Sequence, residues 1–93
     1  MFQFKRVEGK DKGKILLYAL STCGWCKKTK KLLGELGLAY DYVDVDQVDD
    51  KTSDELDREV RKWNPRGTYP TIVVGDKRAI INYDEEKIKE LAK

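Results

Sequence analysis

The chain has no histidine, and only two cysteines, two prolines and one methionine in 93 residues. Without histidine, Ser-His-Asp and Cys-His catalysis are excluded, and two cysteines alone do not close a tetrahedral zinc site. Two cysteines are also too few for the disulfide framework of a small secreted fold. No apolar run approaches the ~20 residues of a membrane-spanning helix, so no membrane role is read. The balance of 19 Lys and Arg against 17 Asp and Glu leaves a net charge of +2, with no footprint of a nucleic-acid partner. The opening stretch, MFQFKRVEGKDKGK, lacks a basic start followed by an apolar core, and the expected location is the cytoplasm. Repeats, low-complexity tracts and linkers are missing too, and the length accommodates a single domain over residues 1–93.

What is present is an alternation of strand and helix patterns. Residues 15–20, ILLYAL, form a short continuous apolar run suited to a strand buried on both faces. Cys26, Thr29, Leu33 and Leu36 recur at helical spacing, and Gly37 is a natural stop. Residues 39–45 alternate as a half-buried or edge strand. Thr52-Ser53-Asp54-Glu55 is a capping-box signature opening a helix that carries Leu56, Val60 and Trp63 and ends at Asn64-Pro65. Residues 70–74 and 77–81 read as two strands joined by a tight turn at Gly75-Asp76, and residues 84–92 as a closing helix. Residues 2–7, FQFKRV, alternate like an extra strand with no assignable partner. The first strand-helix-strand unit should be parallel with a right-handed crossover. The acidic run from Asp41 to Asp50 lacks the central Gly and terminal Glu of a calcium loop.

Both cysteines lie in Ser21-Thr22-Cys23-Gly24-Trp25-Cys26-Lys27-Lys28. A crosslink across two residues closes a minimal loop and contributes little stability. The strand-to-helix junction instead favours a redox pair. A cysteine at a helix amino terminus faces unpaired backbone N–H groups and the positive end of the helix dipole, which favour thiolate. Cys23 is therefore the expected nucleophile, and Cys26, one turn on, the more buried resolving thiol. Lys27, Lys28, Lys30 and Lys31 place positive charge nearby, as a solvated face or a docking patch for an acidic partner. Gly24 sets the turn, and Trp25 offers an aromatic face to substrate. Tyr40, Tyr42, Trp63 and Tyr83 read chiefly as packing residues. In Thr68-Tyr69-Pro70-Thr71, proline stands at the first position of a strand, and the bare sequence favours a trans bond.

On Cys23-Gly24-Trp25-Cys26, Thr68-Tyr69-Pro70 and the spacing to Tyr83-Asp84, the chain from Ile15 onward resembles the glutaredoxin branch of the thioredoxin-like family. The resemblance implies a three-layer α/β fold, a four-stranded mixed sheet flanked by three helices, to which the alternation of residues 2–7 would add an extra strand. It also implies a cis Pro70 facing the cysteine pair and a dithiol–disulfide oxidoreductase that reduces protein or mixed disulfides. If glutathione binds, the resemblance sets it against Thr68 and Tyr69, with one carboxylate near the N–H groups of Tyr83 and Asp84 and the other near Lys62 or Arg66. Three departures weigh against glutathione. Ile81-Asn82 replaces a Gly-Gly pair, so that Ile81 is expected to close the approach; no basic residue shortly precedes Cys23; and Gly24-Trp25 replaces the common Pro-Tyr. The expected partners are disulfide-containing proteins and an upstream electron source, either a thiol such as glutathione or a disulfide reductase, the latter as for the glutaredoxin-like electron donors of ribonucleotide reductase. No bound cofactor is expected beyond the redox-active disulfide, and a monomer is expected. The alternative is a carrier in which two chains each lend Cys23 to an iron–sulfur cluster.

Overall fold

The computed structural model describes residues 4–93. Its elements in chain order are β1 (Lys5–Val7), β2 (Ile15–Ala19), α1 (Gly24–Glu35), β3 (Tyr40–Asp44), a 3₁₀ turn (Val45–Gln47), α2 (Asp50–Trp63), β4 (Thr71–Val74), β5 (Arg78–Ile81) and α3 (Glu85–Glu90). The apolar run of β2 occupies the centre of the sheet, where both of its faces are covered. It pairs in parallel with β3, from Leu16 opposite Asp41 to Ala19 opposite Asp44. On its other side it pairs antiparallel with β4, from Ile15 opposite Val74 to Tyr18 opposite Thr71. The turn at Gly75 and Asp76, both at positive φ, returns the chain as β5, antiparallel to β4.

The sheet has five strands in the order β1-β3-β2-β4-β5, the expected four together with the extra amino-terminal one. The addition is β1, which pairs antiparallel with β3 through Lys5–Tyr42, Arg6–Asp41 and Val7–Tyr40. β3 is consequently an interior strand, which explains why Tyr40 and Val43 are buried. Residues 2 and 3 of the predicted extra strand lie outside the described residues. The chain after β1 is fixed by a close backbone approach. Lys10 N–H donates to the Gly37 carbonyl at 2.8 Å and Ala39 N–H to the Lys10 carbonyl at 2.9 Å. A Cβ on Gly9 would lie 2.6 Å from that same Gly37 oxygen, so glycine is required there.

Apolar side chains fill the sheet's two faces separately. On one, Leu17, Ile72 and Ile80 meet Leu33 of α1 and Ile88 of α3; on the other, Tyr18, Val43 and Val73 meet Leu56 and Val60 of α2. At ~25 cal/mol per Å², these two layers are the main stabilising term. The helix limits follow their caps. α2 begins at Asp50, two residues before the expected capping box, because the Asp49 carboxylate accepts the Thr52 N–H at 3.3 Å. α1 ends at Glu35 ahead of Gly37, which turns at φ 69°. No helix among the described residues is long and apolar enough to cross a membrane.

Candidate functional site

The carboxyl end of β2 delivers the chain into the Ser21-Thr22 turn. Cys23 N–H closes the turn on the Leu20 carbonyl at 3.2 Å. Asp46, just beyond β3, accepts both the Ser21 N–H at 2.8 Å and the Ser21 hydroxyl at 2.5 Å, while Gln47 Nε2 donates to the same hydroxyl. These donors hold the Asp46 carboxyl below the usual range. Sequence reasoning passed over this clamp, because its partners are 25 residues apart and meet only through the parallel β2–β3 pairing.

Cys23 is the amino-terminal cap of α1. Its extended backbone points Sγ back at the first turn, where it accepts the Cys26 N–H at 3.2 Å. Cys26 is fully buried and Cys23 only partly so; neither is bridged. Burial, reinforced by the hydrogen bond with Cys23, pushes the Cys26 thiol up to about 12. The pair is thus asymmetric, with an accessible sulfur at the helix end and a protonated sulfur behind it. The space around Gly24 is open and the residue begins the helix, so sterics do not require glycine in this turn.

The antiparallel register that sets Tyr18 opposite Thr71 carries Pro70 to the end of β2 from which the cysteine turn departs. The Tyr69–Pro70 bond is cis. This loop is organised by Asn64, which the sequence marked only as the end of a helix. Asn64 is 1% exposed. Its Nδ2 donates to the Thr68 carbonyl at 3.2 Å, the Thr68 hydroxyl at 2.9 Å and the Thr71 hydroxyl at 3.1 Å, while its Oδ1 accepts the Arg66 N–H. The Asn-Pro-Arg-Gly composition of residues 64–67 signals such a side-chain turn. Thr68 passes the network on by donating to Asn82 Oδ1 at 2.8 Å, and Asn82 N–H donates to the Pro70 carbonyl.

Trp25, Tyr69, Pro70, Asn82 and Tyr83 line an open pocket of about 260 Å³. Trp25 is 57% exposed, its ring 5.4 Å from that of Tyr83 and tilted by 31°, with Lys28 Nζ 4.7 Å from the indole centre. Tyr83 is therefore a pocket wall, and Tyr40 a buried core residue. Among the other expected ligand contacts, Thr68 is exposed and held in the Asn64 network, and the Asp84 carboxylate caps α3 by accepting the Lys87 N–H. Lys62 pairs with Glu59 at 2.8 Å and borders a separate groove with Phe4 and Tyr18. Arg66 is exposed outside the walls. Ile81, expected to close the approach, is exposed and not a wall; Asn82, at φ 62°, occupies the pocket edge. Of the four lysines on α1, Lys30 bonds Asp44 at 2.9 Å and lies over the Tyr42 ring. Among the described residues no three His, Cys, Asp or Glu side chains converge as a metal site.

The glutaredoxin family model matches residues 15–79. The chain is similar to the glutaredoxin from Methanosarcina mazei Go1, at 45% identity and a TM-score of 0.89 over 98% of this chain and 88% of that one. It is similar also to methanoredoxin from Methanosarcina acetivorans, at 43% identity and a TM-score of 0.87 over 90% of this chain and 88% of that one. A glutaredoxin-like 8.6 kDa protein encoded in the rubredoxin operon of Clostridium pasteurianum is 34% identical over 83% of this chain and 95% of its own length. Other curated relatives are longer. The chain spans 37% of glutathione S-transferase Z1 of Arabidopsis thaliana and 60% of a glutaredoxin of Ricinus communis.

Proposed function

Starting from a chain that belongs to the glutaredoxin family, we propose that it is a dithiol reductase of protein disulfides, acting in the cytoplasm as a monomer. The cap geometry carries this reading: an accessible Cys23 Sγ accepts the N–H of a buried, protonated Cys26. Cys23 attacks one sulfur of a substrate disulfide, forms a Cys23–substrate bond and releases the other substrate sulfur as a thiolate. Cys26 then gives up its proton, which ends on a released substrate thiolate, and attacks Cys23 Sγ. The second substrate sulfur departs, the Cys23–Cys26 disulfide remains, and two electrons have passed to the substrate. The Cys26 N–H that supports the Cys23 sulfur belongs to the first turn of α1.

The return of electrons is assigned to a dedicated disulfide reductase rather than to glutathione. The pocket walls are aromatic, proline and amide groups, and Lys28 over the Trp25 ring is the cation set against them, which suits a peptide segment better than a tripeptide with two carboxylates. Lys62 and Arg66 stand outside it. The iron–sulfur reading is not favoured, since Cys26 gives Cys23 a disulfide partner within its own helix turn. The test is to oxidise the protein, add millimolar glutathione, and follow the Cys23–Cys26 disulfide by alkylation and mass. Persistence of the disulfide in glutathione, with reduction by dithiothreitol, is expected; rapid reduction through a Cys23–glutathione adduct overturns the assignment. Retention of disulfide-reducing activity by Cys23→Ser overturns the whole reading.

A further inference from the structure

We infer that Asp57 and Arg61, two surface residues one turn apart on α2, are positioning residues for the substrate wall formed by Tyr69. The inference rests on the disulfide-reductase reading and concerns how that site is held open to a peptide. Tyr69 lines the pocket with one part of its ring and packs against the cores on both sides of the sheet with the rest. Its hydroxyl donates to Oδ1 of Asp57, which is not a pocket wall, at 3.3 Å. The other carboxylate oxygen, Oδ2, accepts from Arg61 Nε at 2.9 Å. Arg61 in turn lies across the backbone that enters the loop. A Cβ on Gly67 would sit 2.8 Å from the guanidinium carbon, and Gly67 has φ +63°, so glycine there both permits the turn and clears the space for the cation.

The three residues form a brace from α2 to the segment 67–70. Arg61 fixes the carboxylate, the carboxylate fixes the phenol, and the phenol fixes the ring that faces the pocket. The phenol is the donor, because an ionised carboxylate can only accept. The brace is independent of the Asn64 network, which holds the loop's backbone and threonine side chains but makes no bond to the Tyr69 side chain. A ring released from Asp57 keeps its cis-proline backbone and core packing but loses the tether at its hydroxyl end, so the cost falls on substrate capture rather than on the exchange between sulfurs.

The experiment uses the reduced full chain and, as probe, a short one-cysteine peptide presented as its symmetric disulfide, with single-turnover rates measured against peptide concentration. Tyr69→Phe and Asp57→Ala are each expected to raise the half-saturating concentration by up to about tenfold, with the effect on capture rather than on the limiting rate. The double variant should rise no further than either single, because both remove one bond. Asp57→Asn, which keeps an acceptor for the phenol, should recover part of the loss. Independent, additive effects, or half-saturation unchanged in Tyr69→Phe, would overturn the brace. Cys23→Ser, run alongside, separates the two readings: turnover without Cys23 refutes the reductase mechanism, whereas an inactive Cys23→Ser beside an unaffected Tyr69→Phe refutes the brace alone.

Discussion

At the scale of single residues, the chemistry divides between two sulfurs three positions apart. Cys26 keeps its proton far above neutrality because it is buried and bonded to Cys23. Brief treatment of the reduced protein with iodoacetamide between pH 7 and 9 should therefore label Cys23 and leave Cys26 unmodified until the fold is opened with denaturant, as read by peptide mass. Equal labelling of the two in the folded state would contradict the asymmetry. Cys26→Ser should retain attack but not release, accumulating a Cys23–substrate mixed disulfide visible as an added mass. The cysteines were legible because both lie in one short stretch at a strand-to-helix junction. Lys62 and Arg66 show the opposite case. A charge in sequence carries no direction, and α2 turns Lys62 to Glu59 and a groove away from the pocket.

At the scale of elements, caps and buried amides decide where each piece begins and what it holds. Asp49→Ala removes the acceptor for Thr52 N–H and should lower the midpoint of chemical denaturation. Asn64→Ala is expected to cost more, roughly 2–3 kcal/mol, because it removes a fully buried amide that donates to Thr68 and Thr71 and accepts the Arg66 N–H. A loss below 0.5 kcal/mol would mean that water replaces the amide. Strand and helix order was readable from periodicity, since β2 and the stripes of α1 and α2 announce which faces are covered. The interior position of β3 was not readable. Its alternation of Tyr40, Tyr42 and Val43 with aspartates fits an edge as well as an interior strand, and the deciding fact, its pairing with three residues some 35 positions earlier, leaves no local pattern. The same holds for Asn64, whose role depends on Thr71 returning to it from the next strand.

At the scale of the whole molecule, buried titratable groups tie stability to pH and to redox state. Cys26, Tyr18 and Tyr69 rise to about 12 from ordinary values of 9.0, 10.0 and 10.0, chiefly by burial. As pH rises from about 9 towards 12, the unfolded chain sheds these protons while the folded chain retains them. The unfolded state then binds fewer protons, and stability falls. Cys26 is the first of the three to act, and in the oxidised protein it has no proton to lose. Denaturation midpoints should therefore begin to fall near pH 9 in the reduced protein and near pH 10 in the oxidised one. Coincident declines would remove Cys26 from the account.

The short strand β1 does more than complete a sheet of five. Its exposed Lys5 and Arg6 stand at the outer border, so that among the described residues the strand at this edge is three residues long and positively charged. Behind it lies Tyr-Asp-Tyr-Val of β3, an aromatic stretch of strand. Seen this way, β1 is a guard against self-association, and a chain begun at Glu8 should remain folded around its two cores yet form intermolecular β-structure at concentrations where the full chain stays dispersed, detectable by light scattering.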